Sequence, residues 1–300
     1  MTSIPLSVSG PQDKASMAQY RCENKCVWCD GCGDYGIWTA VKRALVQKNL
    51  QPWEVLLCYD VGCHGNGSDK LAGYRFHGLH GRVLPFAAGA KLANPKLPVI
   101  AFGGDGATFS EGMGHFVHAM RSHYPITFVL HNNANYGLTT GQASSLTPEG
   151  QPMNTSPNGI PEHTLPLMDF VFSLEPTFVA RGFSGDIPQL TNIMAQAMEH
   201  RGFAFVDVLQ ACPTFNHFAT HDWLLERCKD ASAMGHDPGN LEAARKLALD
   251  VSETIATGVL YRREDVPNFA ERLVPRQGRQ TTPLEEVRTT DVSAFFDRFR

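Results

Sequence analysis

Residues 97–104, LPVIAFGG, run straight into Asp105-Gly106, and residues 125–131, PITFVLH, run straight into Asn132-Asn133. Each is an apolar run of strand length ending in a polar or glycine-rich tip, the form of a strand buried on both faces of a parallel sheet. In an open α/β sheet, ligands bind outside the carboxyl edge of the strands, which is where both tips fall. Glycines let the backbone approach an anion closely, and a hard divalent cation such as Mg²⁺ needs oxygen ligands from a few protein groups plus phosphates. Asp105 and Asn133 supply such oxygens. Gly104-Asp105-Gly106 alone reads as an ordinary turn. The pairing carries more weight: the segment beginning at His131 starts 25 residues after Gly106, and an apolar strand precedes each half.

The same alternation extends in both directions. Residues 34–49, DYGIWTAVKRALVQKN, put Ile37, Val41, Ala44 and Leu45 on one helical face, with Asp34 placed to cap the helix. EVLLCYD (54–60) reads as a buried strand, 82–95 as a helix and 111–123 as another. Past a Pro/Gly/Ser/Thr-rich stretch at 139–166 come a strand at 176–182, a helix at 186–200 and the strand GFAFVDVLQ at 202–210. That stretch exceeds the ~12–15 residues usual for a connection in a compact domain and therefore reads as functional. The pattern predicts an α/β fold with a mostly parallel sheet and helices on both faces. It divides the chain into an N-terminal arm (1–20), a binding domain (21–222) and a charged, helical C-terminal extension (223–300) against the core or a partner subunit.

Composition removes several functions. With 26 Lys+Arg against 30 Asp+Glu and no sustained basic run, nucleic acid is not an expected partner. No apolar run approaches the ~20 residues of a spanning helix, and the first residues lack the order of a secretory signal, so no membrane is expected and the default compartment is the cytoplasm.

Eight cysteines occur, four of them at 22, 26, 29 and 32. Crowding of this kind in a chain without a secretory signal points to metal ligation. Cys58, inside VLLCY, and Cys228, on an expected charged helix, need no role beyond packing. Spacing alone nominates Cys22, Cys26, Cys29 and Cys32 for an iron–sulfur site, with a zinc site of four thiolates as the other reading. Cys212-Pro213 echoes the Cys-Pro that closes many iron–sulfur sites.

The paired strand-end motif resembles the thiamine-pyrophosphate motif. WCDGCGDYG (28–36), VGCHGNG (61–67), LHGR (79–82), GGDG (103–106), YGLTTGQAS (136–144) and VLQACPTFN (208–216) together resemble the thiamine-binding β subunit of 2-oxoacid:ferredoxin oxidoreductases, in unbroken order over roughly 25–220. The resemblance implies the thiamine-diphosphate-binding fold and one [4Fe–4S] cluster on Cys29, Cys32, Cys63 and Cys212, which demotes Cys22 and Cys26. It further implies Mg²⁺ on Asp105 and Asn133 through their side chains and on Asn135 through its backbone carbonyl. The pyrophosphate would face Gly104, Gly106 and Ala107, and the remaining cofactor contacts would come from Gly62, Cys63, Tyr136, Gly137, Leu138 and Thr139. His80, in LHGR, would approach the cofactor as a catalytic group; a structural histidine is the competing reading. Three positions depart from the family's habit: Asn132 stands where relatives often have Asp, Thr140 where many have Lys, and His64 where a small hydroxyl residue is common.

In function, the resemblance implies reversible, coenzyme-A-dependent oxidative decarboxylation of a 2-oxo acid, with electrons passing through the cluster to ferredoxin. The GCHGNG and LTTGQ segments favour 2-oxoglutarate, giving succinyl-CoA and CO₂, over pyruvate. Glu111 reads as a first-turn helix residue. The glutamate that thiamine enzymes place at the aminopyrimidine is therefore implied to come from a larger α subunit, in an αβ or (αβ)₂ assembly that is inactive without it. Two other classes are open. A non-redox thiamine decarboxylase or carboligase would keep Asp105 and Asn133 but not need the cysteines, and an iron–sulfur or zinc module would leave the strand-end motif unexplained.

Overall fold

The computed structural model describes residues 14–289, 291 and 293–299. Positions 1–13 of the expected N-terminal arm lie outside the described residues, while Tyr20, at its end, is fully buried and donates its hydroxyl to the Leu50 carbonyl at 2.7 Å.

Eight strands make one sheet: β1 (Leu56–Tyr59), β2 (Tyr74–His77), β3 (Val99–Gly104), β4 (Thr127–Asn132), β5 (Phe178–Phe183), β6 (Ala204–Leu209), β7 (Cys228–Asp230) and β8 (Ile255–Arg262). Their order is β2-β1-β3-β4-β6-β5-β8-β7. The first six run parallel. Side chains alternate across this sheet with the two-residue period of a strand. Ile100, Phe102 and Val129 face α1 (Asp34–Gln47) and α5 (Ile187–Glu199), packing with Ile37, Val41, Leu45, Leu190 and Met194. Val99, Ala101, Phe128 and Leu130 face the opposite way, toward Val83 and Leu84 of α2 (Val83–Ala93), Phe116 and Met120 of α3 (Met113–Ser122), and Val171 of α4 (Leu167–Ser173). Both faces are thus covered, as strands apolar on both sides require.

Two expectations need correction. Asp34 does not cap α1: Gly33 holds that position without a side-chain bond, and the Asp34 carboxylate turns inward to His131 and Cys32. The segment expected to be a helical C-terminal extension does contain α6 (His221–Arg227) and α7 (Leu241–Leu249), but it also supplies β7 and β8. β8 pairs antiparallel with β5 and extends the sheet, so this segment completes the core; Leu260 and Tyr261 are buried in it. YRFH at 74–77, to which the sequence assigns no element, forms the edge strand β2, with Tyr74, Arg75 and His77 exposed. That is common for an edge.

Two buried polar groups anchor loops at opposite edges of the sheet. Asp60, fully buried just past β1, accepts the N–H groups of Val61 and Gly81, both at 2.7 Å, and of Val83 at 3.4 Å. It thereby satisfies the first turn of α2, whose own preceding residue, Arg82, provides no side-chain cap. Burial raises the Asp60 pKa, and the three amide donors oppose that rise. Asp60→Ala leaves those donors unpaired and is expected to cost roughly 3 kcal/mol or more of unfolding free energy, Asp60→Asn less because one acceptor oxygen remains. Denaturant unfolding measures the loss, and faster amide exchange confined at first to residues 79–83 identifies its origin; an Asp60→Ala protein of wild-type stability contradicts the assignment.

His123 ends α3 in the left-handed conformation (φ 55°), and its buried ring accepts the Phe203 N–H at Nδ1, 3.2 Å away. Burial, reinforced by neighbouring His200, lowers its pKa to about 4. Because this is below the value near 6.5 of an unfolded histidine, its contribution is complete above pH 6.5 and is lost as pH falls toward 4. The expected loss over that interval is a few kcal/mol, read from unfolding at several pH values. His123→Asn, which tolerates positive φ, should be less stable at neutral pH yet show a flatter pH dependence.

Candidate functional site

β1 is followed in the chain by its neighbour on one side, β2, and then by its neighbour on the other side, β3. The connections therefore leave in opposite directions at this point, opening a crevice at the carboxyl ends of β1 and β3 where ligands of open α/β sheets bind. Segments following β1, β3 and β4 line a pocket there, with His80 at its rim. All the residues expected around the cofactor line it, together with Val61 and His64, to which the sequence assigns no cofactor contact. A larger cleft, of about 720 Å³, lies at the amino ends of β3 and β4, bordered by Val99 and Thr127. It contains none of the strand-end motif.

The pocket wall is backbone where side chains would obstruct it. A Cβ on Gly106 would stand 2.6 Å from the Tyr136 ring, and one on Gly104 would stand 2.9 Å from the His64 ring. Directly after Asp105 the chain makes a π-helical turn, Gly106–Glu111, a distortion often found at functional sites. Its first residues, Gly106 and Ala107, are both buried.

Asp105 is 1% exposed, and burial raises its pKa to about 7 even though the Ser144 hydroxyl donates to its Oδ2. A carboxylate held this way gains from a cation. Ser144 lies 39 positions along the chain in the long 139–166 connection. Nothing in the spacing announces it, but its contact gives that connection a role. Asn133 is buried, accepts the Asn135 N–H at its Oδ1 (3.2 Å) and donates its Nδ2 to Gln210 (3.3 Å). The Asn135 side chain donates to the Asn133 carbonyl at 2.8 Å, while its Oδ1 is buried with no partner among the described residues. A carboxylate, two amide oxygens and a glycine-lined wall are the donor set and the space that a cation-bound diphosphate requires. Residues and ligand chemistry fit.

His80 Nδ1 is 3.3 Å from Glu111 Oε1, and its ring lies 5.8 Å from Tyr136 at an interplanar angle of 25°. His64 accepts the Gly104 N–H at Nε2 (3.1 Å) and stands 5.4 Å, ring to ring, from His131. Burial, with His131 adding to it, keeps His64 neutral by lowering its pKa well below the usual value.

The four cysteines implied by the resemblance sit on three loops tied to one another. The Trp28 indole donates to the Cys63 carbonyl (2.6 Å), joining the loop of Cys29 and Cys32 to that of Cys63. The Gly33 N–H donates to the Ala211 carbonyl (2.9 Å), joining it to that of Cys212. A Cβ on Gly137 would lie 3.1 Å from Cys63 Sγ and 4.0 Å from Cys212 Sγ, so both sulfurs adjoin the pocket wall. Cys22 has its sulfur 4.0 Å from Arg75, and Cys26 lies near Lys70, Lys42 and Asp69 and, together with Cys29 and Cys32, near Tyr35. Among the described residues no three His, Cys, Asp or Glu side chains converge as a single-ion site demands. A tetrahedral zinc site needs sulfurs about 2.3 Å from one point, whereas an iron–sulfur cube is a larger body whose ligands stand around a volume. Burial raises the pKa of Cys32, and raises that of Cys63 to about 12. A metal centre bound there would have to deprotonate these thiols. The donor set suits a cluster.

Residues 60–208 match the family "Thiamine pyrophosphate enzyme, C-terminal TPP binding domain", and residues 212–277 match the C-terminal family of the "Pyruvate ferredoxin oxidoreductase beta subunit". The chain is 37% identical over 270 residues to 2-oxoacid:ferredoxin oxidoreductase 2, subunit beta, of Aeropyrum pernix, covering 86% of this chain and 87% of the relative. It is 32% identical over 247 residues to the 2-oxoglutarate synthase subunit KorB of Archaeoglobus fulgidus, covering 82% and 88%. A solved structure, 2-oxoglutarate:ferredoxin oxidoreductase from Magnetococcus marinus with 2-oxoglutarate, coenzyme A and succinyl-CoA bound, superposes with a TM-score of 0.85 at 30% identity over 97% of this chain and 98% of the other. A thiamine-pyrophosphate-binding domain on a mostly parallel sheet, continuous with the C-terminal segment that marks these β subunits, places the chain: it belongs to the β subunits of the 2-oxoacid:ferredoxin oxidoreductases.

Proposed function

We propose that this β subunit holds thiamine pyrophosphate and Mg²⁺ at the β1/β3 crevice and a [4Fe–4S] cluster on Cys29, Cys32, Cys63 and Cys212. In this reading it acts with an α subunit and coenzyme A on 2-oxoglutarate, passing electrons to ferredoxin. The observation that carries the reading is Cys63: it lines the pocket and, beside Cys212, adjoins Gly137, so electron donor and acceptor would be neighbours. Relatives named for 2-oxoglutarate, and the Magnetococcus marinus enzyme solved with it, support that substrate. The C-terminal match to a family named for pyruvate supports pyruvate as the second reading.

When bound, the thiamine cofactor supplies a sink for the electron pair left by decarboxylation, and the cluster accepts electrons singly. The protein's part is positioning. Asp105 and Asn133 would hold the cation, Gly104 and Gly106 would admit the diphosphate, and Asp60, by fixing the Gly81 amide, would set His80 at the rim. His80 faces Glu111 and Tyr136, where it can hold or move a proton at Nδ1 or Nε2. No glutamate lines the pocket among the described residues. A β subunit implies an α partner, and that partner would supply the missing carboxylate. An αβ or (αβ)₂ assembly follows.

Two outcomes test this reading. Calorimetry with thiamine pyrophosphate and Mg²⁺ should show binding that Asp105→Asn weakens by at least roughly 10-fold, and iron content should fall with Cys63→Ser but not with Cys26→Ser; iron lost only with Cys26→Ser transfers the cluster to the other cysteines. Anaerobically, the chain alone should reduce no viologen dye, and the complex with its α subunit should turn over 2-oxoglutarate with a higher kcat/KM than pyruvate or other 2-oxo acids. Turnover by the isolated chain removes the shared-site proposal.

A further inference from the structure

Gln210 is the first residue past β6, 2% exposed, and its backbone N–H donates to the Asn132 carbonyl at 2.9 Å. Its side-chain amide lies between the two candidate cofactor sites. Oε1 accepts Nδ2 of Asn133 at 3.3 Å, and Nε2 reaches Sγ of Cys32 at 3.5 Å. Packing restrains it, since a Cβ on Gly33 would meet Gln210 Cγ at 2.8 Å.

The two bonds are not independent. Asn133 accepts the Asn135 N–H at Oδ1, so its amide nitrogen needs an acceptor on the other side. Gln210 Oε1 is that acceptor, which leaves only the N–H₂ end to face the sulfur. If the Gln210 amide were reversed, two N–H₂ groups would oppose each other and the sulfur would face an oxygen. One buried amide thus fixes the orientation of the Asn133 side chain and aims a donor at a cysteine sulfur.

We propose that Gln210 is a positioning residue coupling the cation site to the iron–sulfur cluster. This rests on the proposed placement of Mg²⁺ at Asn133 and of the cluster at Cys32. A hydrogen bond to a ligating sulfur stabilises the more negative, reduced cluster and raises its reduction potential. A partner that orients a metal ligand sustains affinity, typically by 10–100-fold. No other described side-chain bond joins the cysteine loop of Cys32 to Asn133.

The test uses the anaerobically purified complex with the α subunit. The cluster midpoint is read by EPR-monitored redox titration, and thiamine pyrophosphate–Mg²⁺ affinity by calorimetry. Gln210→Met, similar in length but without either polar group, should shift the midpoint to a more negative value and weaken cofactor binding by about 10-fold. Gln210→Glu keeps an acceptor for Asn133 and carries no amide donor, so it should largely retain cofactor affinity while its midpoint still falls. A folded Gln210→Met complex with an unchanged midpoint, or with unchanged cofactor affinity, overturns the coupling. If Gln210→Met does not fold, a wild-type midpoint in Gln210→Glu overturns it instead. A wild-type complex with no cluster signal or no thiamine binding refutes the proposed function itself; a normal wild type beside unaffected variants refutes only the role of Gln210.

Discussion

The parallel register of the central strands is the constraint on which everything else depends. Cys58 pairs with Ala101, Phe102 with Val129, and Val129 with Val206, so β1, β3, β4 and β6 all end on the same edge. Helices cover both faces and bury the apolar side chains, leaving that edge as the place where polar tips gather. The reversal of strand order at β1 then separates two of the tips and creates the crevice. A shift of one residue in β3 or β4 would turn their side chains to the opposite faces and take Asp105 away from Asn133.

Gathering polar groups at a buried edge has a thermodynamic cost, visible in the side chains that surround the pocket. Burial raises the pKa of Asp60, of Asp105 and of the thiols at Cys32 and Cys63, and lowers that of His64. Each shift disfavours the charged form. Asp60 is compensated by backbone donors within the chain, a structural solution. Asp105 is met by the Ser144 hydroxyl and by the backbone amides of Asp105 and Asn133, and Cys32 by the Gln210 amide and the Asp34 backbone, beside the carboxylate of Asp34. In both the charged form is still disfavoured by burial, so both would gain from the positive centres proposed beside them.

A continuous set of buried polar contacts connects the two candidate centres. Asp34 Oδ1 lies 2.7 Å from His131 Nδ1, and its other oxygen lies 3.5 Å from Cys32 Sγ. Gln210 reaches from the same sulfur to Asn133, and Asn216 donates to the Asn133 carbonyl at 2.9 Å. Such networks specify a single arrangement when their members are satisfied. The two candidate centres share this one set of buried contacts, with the glycine-lined pocket on one side and the cysteine loops on the other, and within it His131 Nε2 has no partner among the described residues.

Much of this was legible in the linear chain. The strands around Asp105 and Asn133 announce themselves because an unbroken apolar run followed by a polar tip has few other uses, and the cysteines and glycines of the pocket stand within short, recognisable segments. Local pattern therefore determined the parallel core and the identity of most pocket residues. It did not reveal β2 or β8: an exposed edge strand lacks an apolar signature, and β8 joins the sheet from a stretch flanked by charge. Asp34 shows the same limit, since a residue well suited to cap a helix is claimed by a histidine 97 positions away. Ser144 on Asp105, Asp60 on Gly81, and Gln210 between Cys32 and Asn133 were likewise decided only in three dimensions. Their partners are brought together by strand register, and no local propensity encodes a hydrogen bond between residues that only the fold makes neighbours.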